Sequence, residues 1–293
     1  MKKRKLEDYL NEKYSSTSVR GYRNMIKRFC LSLGEKANQA SYSDVLEYIG
    51  TLRTQKLHPK SLKNNLAAIK IYFNYLIESK QRTDHPCKYL YLKDQIDRQI
   101  QVESLHSKET LETLYQNHQS KKEANQKRDQ IIISLLIYQA LTVLEISQLQ
   151  VENIDLEAST IFIQANAKNN SRTLNLKAQQ IILIHDYLQK EWKSYHRKQT
   201  PKKRQNYLIL TENGLQIWRS SINRIINQGR KKTERLTALK IRQSVIAQLL
   251  KEGNDLRIVQ SFAGHRRTAS TEAYQQTDLE ELKTAIHHFH PLQ

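Results

Sequence analysis

Cysteine is nearly absent. Cys30 and Cys87 are the only two in 293 residues, and they stand far apart without a partner motif, so neither a disulfide framework nor a zinc site is expected. Seven glycines and four prolines leave little turn punctuation, which favours a mostly helical chain with short connections. No apolar run approaches the ~18 residues that a membrane span needs. The opening "MKKRKLEDYL" is basic but lacks the apolar core of a signal peptide. With 38% hydrophobic residues and a mean hydropathy of −0.72, the chain reads as a soluble protein of the cytoplasm or nucleoid. No internal repeat or low-complexity segment stands out.

What is abundant is positive charge. Forty-eight Lys and Arg against 29 Asp and Glu give a net charge of +19 and an isoelectric point near 9.8. Such a surplus suits a polyanion better than a small metabolite, and nucleic acid is the leading partner. A basic ribosomal or membrane-surface protein would show the same balance. Local clusters at "MKKRK", "KKR" (202–204) and "RKK" (230–232) are spread through both halves, which fits an extended binding surface, although each taken alone is equally a solvated loop.

The length allows two domains, each with its own core. In "SLKNNLAAIKIYFNYLI" the apolar positions Leu62, Leu66, Ile69, Phe73 and Leu76 recur at the spacing of one helix face. "SVRGYRNMIKRFCLSL", "SDVLEYIGTLR" and Leu6 to Leu10 read as three further amphipathic helices. Ser15, Ser16 or Thr17 is expected to cap the first of these, and Ser41 with Asp44 resembles a capping box for the second. A four-helix unit over residues 1–84 follows. The stretch "DHPCKYLYLKDQID" loses the helical period and contains Pro86, so residues 85–104 read as a linker. Ser107 then caps a new helix, and "RDQIIISLLIYQALTVLEISQLQ" supplies the buried centre of a second domain over 105–293. "STIFIQ" and "TLNL" flank the polar "ANAKNNSR" as a hairpin, the one piece of sheet in an otherwise helical domain.

The stretch "IRQSVIAQLLKEGNDLRIVQSFAGHRRTASTEAYQQ" resembles the second signature box of the tyrosine recombinases, the phage integrase and Xer-type family. There an arginine opens a helix, a Gly-His pair follows about two dozen residues later, and a nucleophilic tyrosine lies nine residues beyond the histidine. These places fall on Arg242, His265 and Tyr274. The full spacing is the signal, because a lone tyrosine among fifteen carries nothing. "LTVLEISQLQVENIDLE" with the following hairpin is similar to the first box and its lysine-bearing sheet. "TSVRGYRNMIKRF" and "HPKSLKNNLAAIKIYFNYLIES" resemble the DNA-gripping helices of the family's core-binding domain. The tail "DLEELKTAIHHFHPL" is similar to the helix that docks into a neighbouring protomer. The resemblance implies a C-shaped clamp on duplex DNA, a tetramer on paired sites, and no metal or other cofactor. Arg20, Lys60, Lys63 and Lys70 lie on the polar faces opposite the apolar stripes and are the candidate phosphate contacts.

The reaction explains the residue types. Attack of a tyrosine on a phosphodiester builds charge on the non-bridging oxygens and expels a 5′-oxygen, so it needs fixed donors, a base and an acid. A guanidinium can clamp two phosphate oxygens at once where an ammonium cannot. By the resemblance, Tyr274 is the nucleophile, Arg242 a phosphate clamp, His265 an assistant and Lys168, in the hairpin turn, the acid. Two places depart from the family pattern. The first-box arginine falls on Thr142, with the preceding glycine on Ala140, and the second-box histidine falls on Leu239; Gln243 follows Arg242 where relatives often have histidine. No arginine lies between Arg128 and Arg172 to restore the first box by a shift of register. Losing such a clamp costs about 10³ to 10⁵ in rate, and losing a positioned base about 10² to 10⁴. Lys168, Arg172 or an arginine from a partner protomer would have to substitute.

Each residue also has a non-catalytic reading. Arg242 can be a plain phosphate contact, His265 packing at the turn after Gly264, Lys168 a solvated lysine, and Tyr274 a tyrosine inherited from a catalytic ancestor. Two functions stay open: a site-specific recombinase or integrase of a mobile element, and a catalytically silent architectural or regulatory subunit beside an active recombinase. A general basic nucleic-acid-binding protein would leave the box spacing unexplained.

Overall fold

The computed structural model describes residues 5–95, 100, 105–200 and 204–274. The chain divides into two compact units, Met1–Arg98 and Gln99–Gln293.

The first unit holds the four expected helices: α1 (Leu6–Lys13), α2 (Ser16–Leu33), α3 (Tyr42–Thr54) and α4 (Pro59–Glu78). Pro59 suits the first turn of α4, where its missing N–H would have no partner in any case. The predicted stripe of α4 is buried throughout, from Leu62 to Leu76. It meets Phe29 of α2, whose ring stands edge-on to Phe73 and Tyr48 at 6.1 and 5.2 Å. Ser41 and Asp44 form the capping box of α3: the serine hydroxyl accepts from the Asp44 N–H, and the carboxylate accepts from the Ser41 N–H at 2.7 Å. At α2 the expectation needs correcting. Ser15 occupies the cap position, but its side chain pairs with the Ser18 hydroxyl and no side chain caps the helix. The segment after α4 is irregular, yet Cys87, Leu90 and Leu92 are buried in this same core, so packing holds the chain to the first unit well past Pro86. Both cysteines are free thiols.

The second unit opens with α5 (Lys108–Gln116), capped by Ser107 through the Thr110 N–H. The apolar segment becomes α6 (Gln126–Tyr138) and α7 (Val143–Gln148), with Ile131, Ile132, Ile133, Leu135 and Leu136 fully buried. From Ile131 to Ile137 α6 is apolar on nearly every side, and that stretch is buried throughout. The hairpin forms from β2 (Thr160–Ile163) and β3 (Arg172–Asn175), and a two-residue strand, β1 (Ile154–Asp155), extends it to a three-stranded antiparallel sheet. Its register sets Ile161 opposite Leu174 and Ile163 opposite Arg172, all four on the buried side. Helices α8 (Ala178–Tyr187), α9 (Lys193–Arg197), α10 (Arg219–Ile226), α11 (Ala238–Lys251) and α12 (Leu256–Ala263) follow, and the chain is helical again over 269–274. Among the described residues no helix is long and apolar enough to cross a membrane.

The two serines at helix starts separate a working cap from a mere cap position. Ser41→Ala is expected to cost about 1 kcal/mol, and Ser15→Ala only a few tenths. Urea unfolding of the two variants checks this, and equal losses would contradict the assigned geometry.

Candidate active site

The site is built around Glu145. Thr142 starts α7 as its N-cap, and the Glu145 Oε2 atom accepts from the Thr142 N–H at 2.8 Å and from its hydroxyl at 3.0 Å. The Thr142 hydroxyl in turn accepts from the Glu145 N–H, so Thr142 is fully occupied as a cap. The other carboxylate oxygen, Oε1, accepts from Asn169 Nδ2 at 3.0 Å and from Arg172 Nη1 at 2.8 Å. Burial pushes the Glu145 pKa up, but the Arg172 hydrogen bond and charge, with help from the Thr142 N–H and Arg242, outweigh it and hold the group below the usual glutamate value. It is a buried carboxylate in its charged form.

Arg242 projects from α11 and is 5% exposed. Its Nη1 donates to the Ala140 carbonyl and its Nη2 to the Ala263 carbonyl at 2.7 Å, joining the α6–α7 junction to the end of α12. Arg172, from β3, is equally buried. It uses Nη1 on Glu145, while its Nε and Nη2 are buried without a hydrogen-bond partner among the described residues.

The β2–β3 turn docks against the end of α12. Asn166 Oδ1 accepts from the Lys168 and Asn169 N–H groups at 2.9 and 3.0 Å, and the Asn170 N–H donates to the Gly264 carbonyl at 2.8 Å. Asn169 forms an isolated antiparallel bridge with His265. Gly264 ends α12 in the left-handed region, with φ of 70°, and a Cβ added there would lie 2.5 Å from Arg172 Nη1. The glycine before the histidine therefore answers to both conformation and space.

His265 pairs Nδ1 with the Thr271 hydroxyl at 2.9 Å, and its ring lies nearly parallel to that of Tyr274, centroids 6.4 Å apart. Burial, with the charges of Arg242 and Arg172, pushes the His265 pKa down to about 4, so the imidazole is neutral near pH 7. Tyr274 sits on the helical stretch 269–274, 7% exposed, among Ala140, Ile246, Leu250, Val259 and Ala263. Burial raises its phenol pKa, and Arg242 pulls it partly back.

Arg242, His265 and Tyr274 are thus brought into one cluster, and the fold adds Glu145, Arg172 and Asn169, which spacing alone did not single out as a unit. A signal existed: Glu145 stands three residues after Thr142, as a capping box requires, and Arg172 opens the second strand of the hairpin. Lys168 stands apart, exposed in the turn, its ammonium without a hydrogen bond or ion pair among the described residues. Leu239 is 64% exposed on the first turn of α11. Of the four candidate phosphate contacts, Arg20 and Lys60 are exposed, while Lys63 and Lys70 are half-buried. Lys63 lies 5.6 Å over the Tyr91 ring and Lys70 donates to the Lys88 carbonyl at 2.9 Å. The highly exposed Tyr89 and Tyr91 beside them were not singled out by the sequence, although in "KYLYLK" Tyr89, Tyr91 and Lys93 alternate with the buried Leu90 and Leu92. The expected docking helix "DLEELKTAIHHFHPL" lies outside the described residues, as do most of "MKKRK" and two residues of "KKR".

A helical unit carrying a small sheet, with arginine, histidine and tyrosine gathered beside a capped acidic turn, defines a class. Residues 105–281 match the phage integrase family, and residues 5–80 match the phage integrase N-terminal SAM-like domain. The chain belongs to the phage integrase family, whose members are the tyrosine recombinases. It is 24% identical to the tyrosine recombinase XerC of Listeria innocua serovar 6a, over 97% of this chain and 95% of that protein. It is 25% identical to the tyrosine recombinase XerD of Staphylococcus saprophyticus, over 98% of each. The fold is similar to that of the XerH site-specific recombinase bound to its difH substrate in a pre-cleavage complex, with a TM-score of 0.63 and 21% identity over 91% of this chain and 77% of that one.

Two outcomes follow from this geometry. An unfolded histidine takes up its proton near pH 6.5, whereas His265 does so only near pH 4, so between these values the unfolded state binds more protons and stability falls as pH drops. His265→Gln should flatten that part of the profile of unfolding free energy against pH; superimposable slopes for variant and wild type would refute it. Gly264→Ala should lower stability by more than the roughly 1–2 kcal/mol of a left-handed alanine alone, because its methyl group also displaces Arg172. Thermal denaturation measures the loss.

Proposed function

We propose that this chain is a site-specific recombinase that binds duplex DNA at paired sites and exchanges or integrates strands, serving a mobile element. The observation that carries the reading is the meeting of Arg242, His265 and Tyr274 in one buried cluster. Sequence similarity to XerC and XerD over nearly the whole chain supports it, as does the DNA-bound state of the structurally similar XerH.

In this reading the Tyr274 oxygen attacks the scissile phosphorus. A 3′-phosphotyrosyl bond forms as the bond to the 5′-oxygen breaks. The neutral imidazole of His265 is in the form that accepts the phenol proton, Arg242 steadies the phosphate charge, and Lys168, brought in from its exposed turn, hands a proton to the departing 5′-oxygen. Attack of a 5′-hydroxyl on the phosphotyrosine reverses the step, so the bond energy is kept for religation and no cofactor is called for. Arg20 and Lys60 contact backbone phosphates directly. Lys63 and Lys70 exchange their present partners for phosphate. Tetramers assemble on paired sites through the carboxy-terminal segment, and the protein works on nucleoid DNA.

A second reading has its own support. Thr142 and Leu239 stand where the family pattern has arginine and histidine, Thr142 is committed to its cap, and Tyr274 is buried. On that reading the chain is a silent architectural or regulatory subunit beside an active recombinase.

The test separates the two. Duplexes selected by the protein from a randomised pool are nicked next to each phosphate in turn, incubated with wild type and Tyr274→Phe, and denatured. A covalent protein–DNA band from wild type that vanishes in the variant establishes the nucleophile. No band on DNA that wild type demonstrably binds establishes the silent subunit.

A further inference from the structure

The buried cluster is unbalanced in charge. Arg172 and Arg242 are 7% and 5% exposed and act on each other as like charges, Glu145 is the acidic group facing them, and His265 adds no charge. An excess buried cation is costly unless an anion joins it. A buried N–H left unpaired is a further cost that native structures rarely tolerate without a reason.

Arg242 spends both terminal nitrogens on the Ala140 and Ala263 carbonyls. Arg172 spends only Nη1, on Glu145. Its two unpartnered atoms, Nε and Nη2, are neighbours on one edge of the planar guanidinium. That edge offers two parallel N–H donors at the spacing of two oxygens of one phosphate, a match an ammonium cannot reproduce. Glu145 holds the opposite side of the group, the pairing of Arg172 with Ile163 fixes the strand that bears it, and Gly264 leaves room for it.

We infer that Arg172 is a phosphate-clamping residue: its Nε–Nη2 edge, positioned by Glu145, takes two non-bridging oxygens of the phosphodiester that lies beside Tyr274. This rests on the reading of the cluster as a DNA phosphate site and supplies from β3 the charge that Thr142 lacks. The edge is closed to solvent in this structure, so an entering phosphate displaces what packs over it, just as the buried Tyr274 has to move to reach a phosphorus atom.

Arg172→Lys tests the assignment, because it keeps the net charge and a cation for Glu145 but removes the paired edge. At constant ionic strength, replacing chloride by a few millimolar inorganic phosphate should raise the thermal midpoint of wild type by a few degrees. Arg172→Lys should lose at least half of that rise, and Lys190→Ala, at an exposed lysine outside the cluster, should keep it. If the lysine variant does not fold, the double variant Arg172→Gln with Glu145→Gln, a neutral hydrogen-bonding pair, takes its place and should show the same loss. In the nicked-duplex assay Arg172→Lys should form the covalent band about 10³-fold more slowly, and a neutral methylphosphonate at the scissile position, with no charge to clamp, should close most of that gap. An adduct formed at the wild-type rate together with an undiminished phosphate response overturns the clamp and leaves Tyr274 as nucleophile. A wild type without any phosphate-specific rise also overturns it. A phosphate response that depends on Arg172 in a protein that never forms the adduct removes the nucleophile and leaves the clamp standing.

Discussion

The buried carboxylate of Glu145 ties together parts of the second unit that are distant in sequence. One of its oxygens closes the first turn of α7 through Thr142, and the other holds the β2–β3 turn through Asn169 and strand β3 through Arg172. Arg242 adds its charge from α11. A buried ion pair of this kind is a weak source of net stability, since desolvation offsets most of the attraction, but removing either partner strands a charge at a cost of about 3–5 kcal/mol. Its value here is positional. The junction before α7, the hairpin and the end of α12 have separate reasons to fold, and this acid with its partners sets how they meet.

That arrangement gives Thr142 and Leu239, the two positions singled out in the sequence, distinct structural settings. Thr142 is neither idle nor a weak imitation of a guanidinium, because its hydroxyl and N–H are both committed to the cap that orients Glu145. Its role in the structure is local, and positive charge reaches Glu145 from β3 through Arg172 and from α11 through Arg242. Leu239 lies out in solvent one turn before the buried Arg242, so its side chain takes no part in the core around that arginine.

Much of this was legible in the sequence wherever the cause is local. The stripe on α4, the Ser41–Asp44 box and the Ser107 cap each need only a few neighbouring residues, and each appears as expected. Ser15 failed as a cap: its hydroxyl pairs with the Ser18 hydroxyl and with no backbone N–H of the first turn. The two-residue strand β1 exists only by virtue of its pairing with β2, and nothing in "ID" announces it. Spacing brought Arg242, His265 and Tyr274 to attention, but Arg172 meets Glu145 through hairpin register and the docking of a turn onto Gly264, which are long-range facts. The exposed position of Lys168 has the same origin: Asn166 shapes that turn from within, and the shape decides where the lysine stands.

Ala140 gives the backbone a part in building the cluster. It holds φ of +49°, a conformation that costs an alanine energy and a glycine almost none. The bend turns its carbonyl toward Arg242, which donates to it, while its methyl group is fully buried. The arginine is therefore also the clasp of a sprung loop. Take the guanidinium away and the α6–α7 corner keeps the Leu141 N–H bond to the Leu135 carbonyl but loses the contact on the Ala140 carbonyl, so replacing Arg242 changes the backbone beside the cluster as well as its charge.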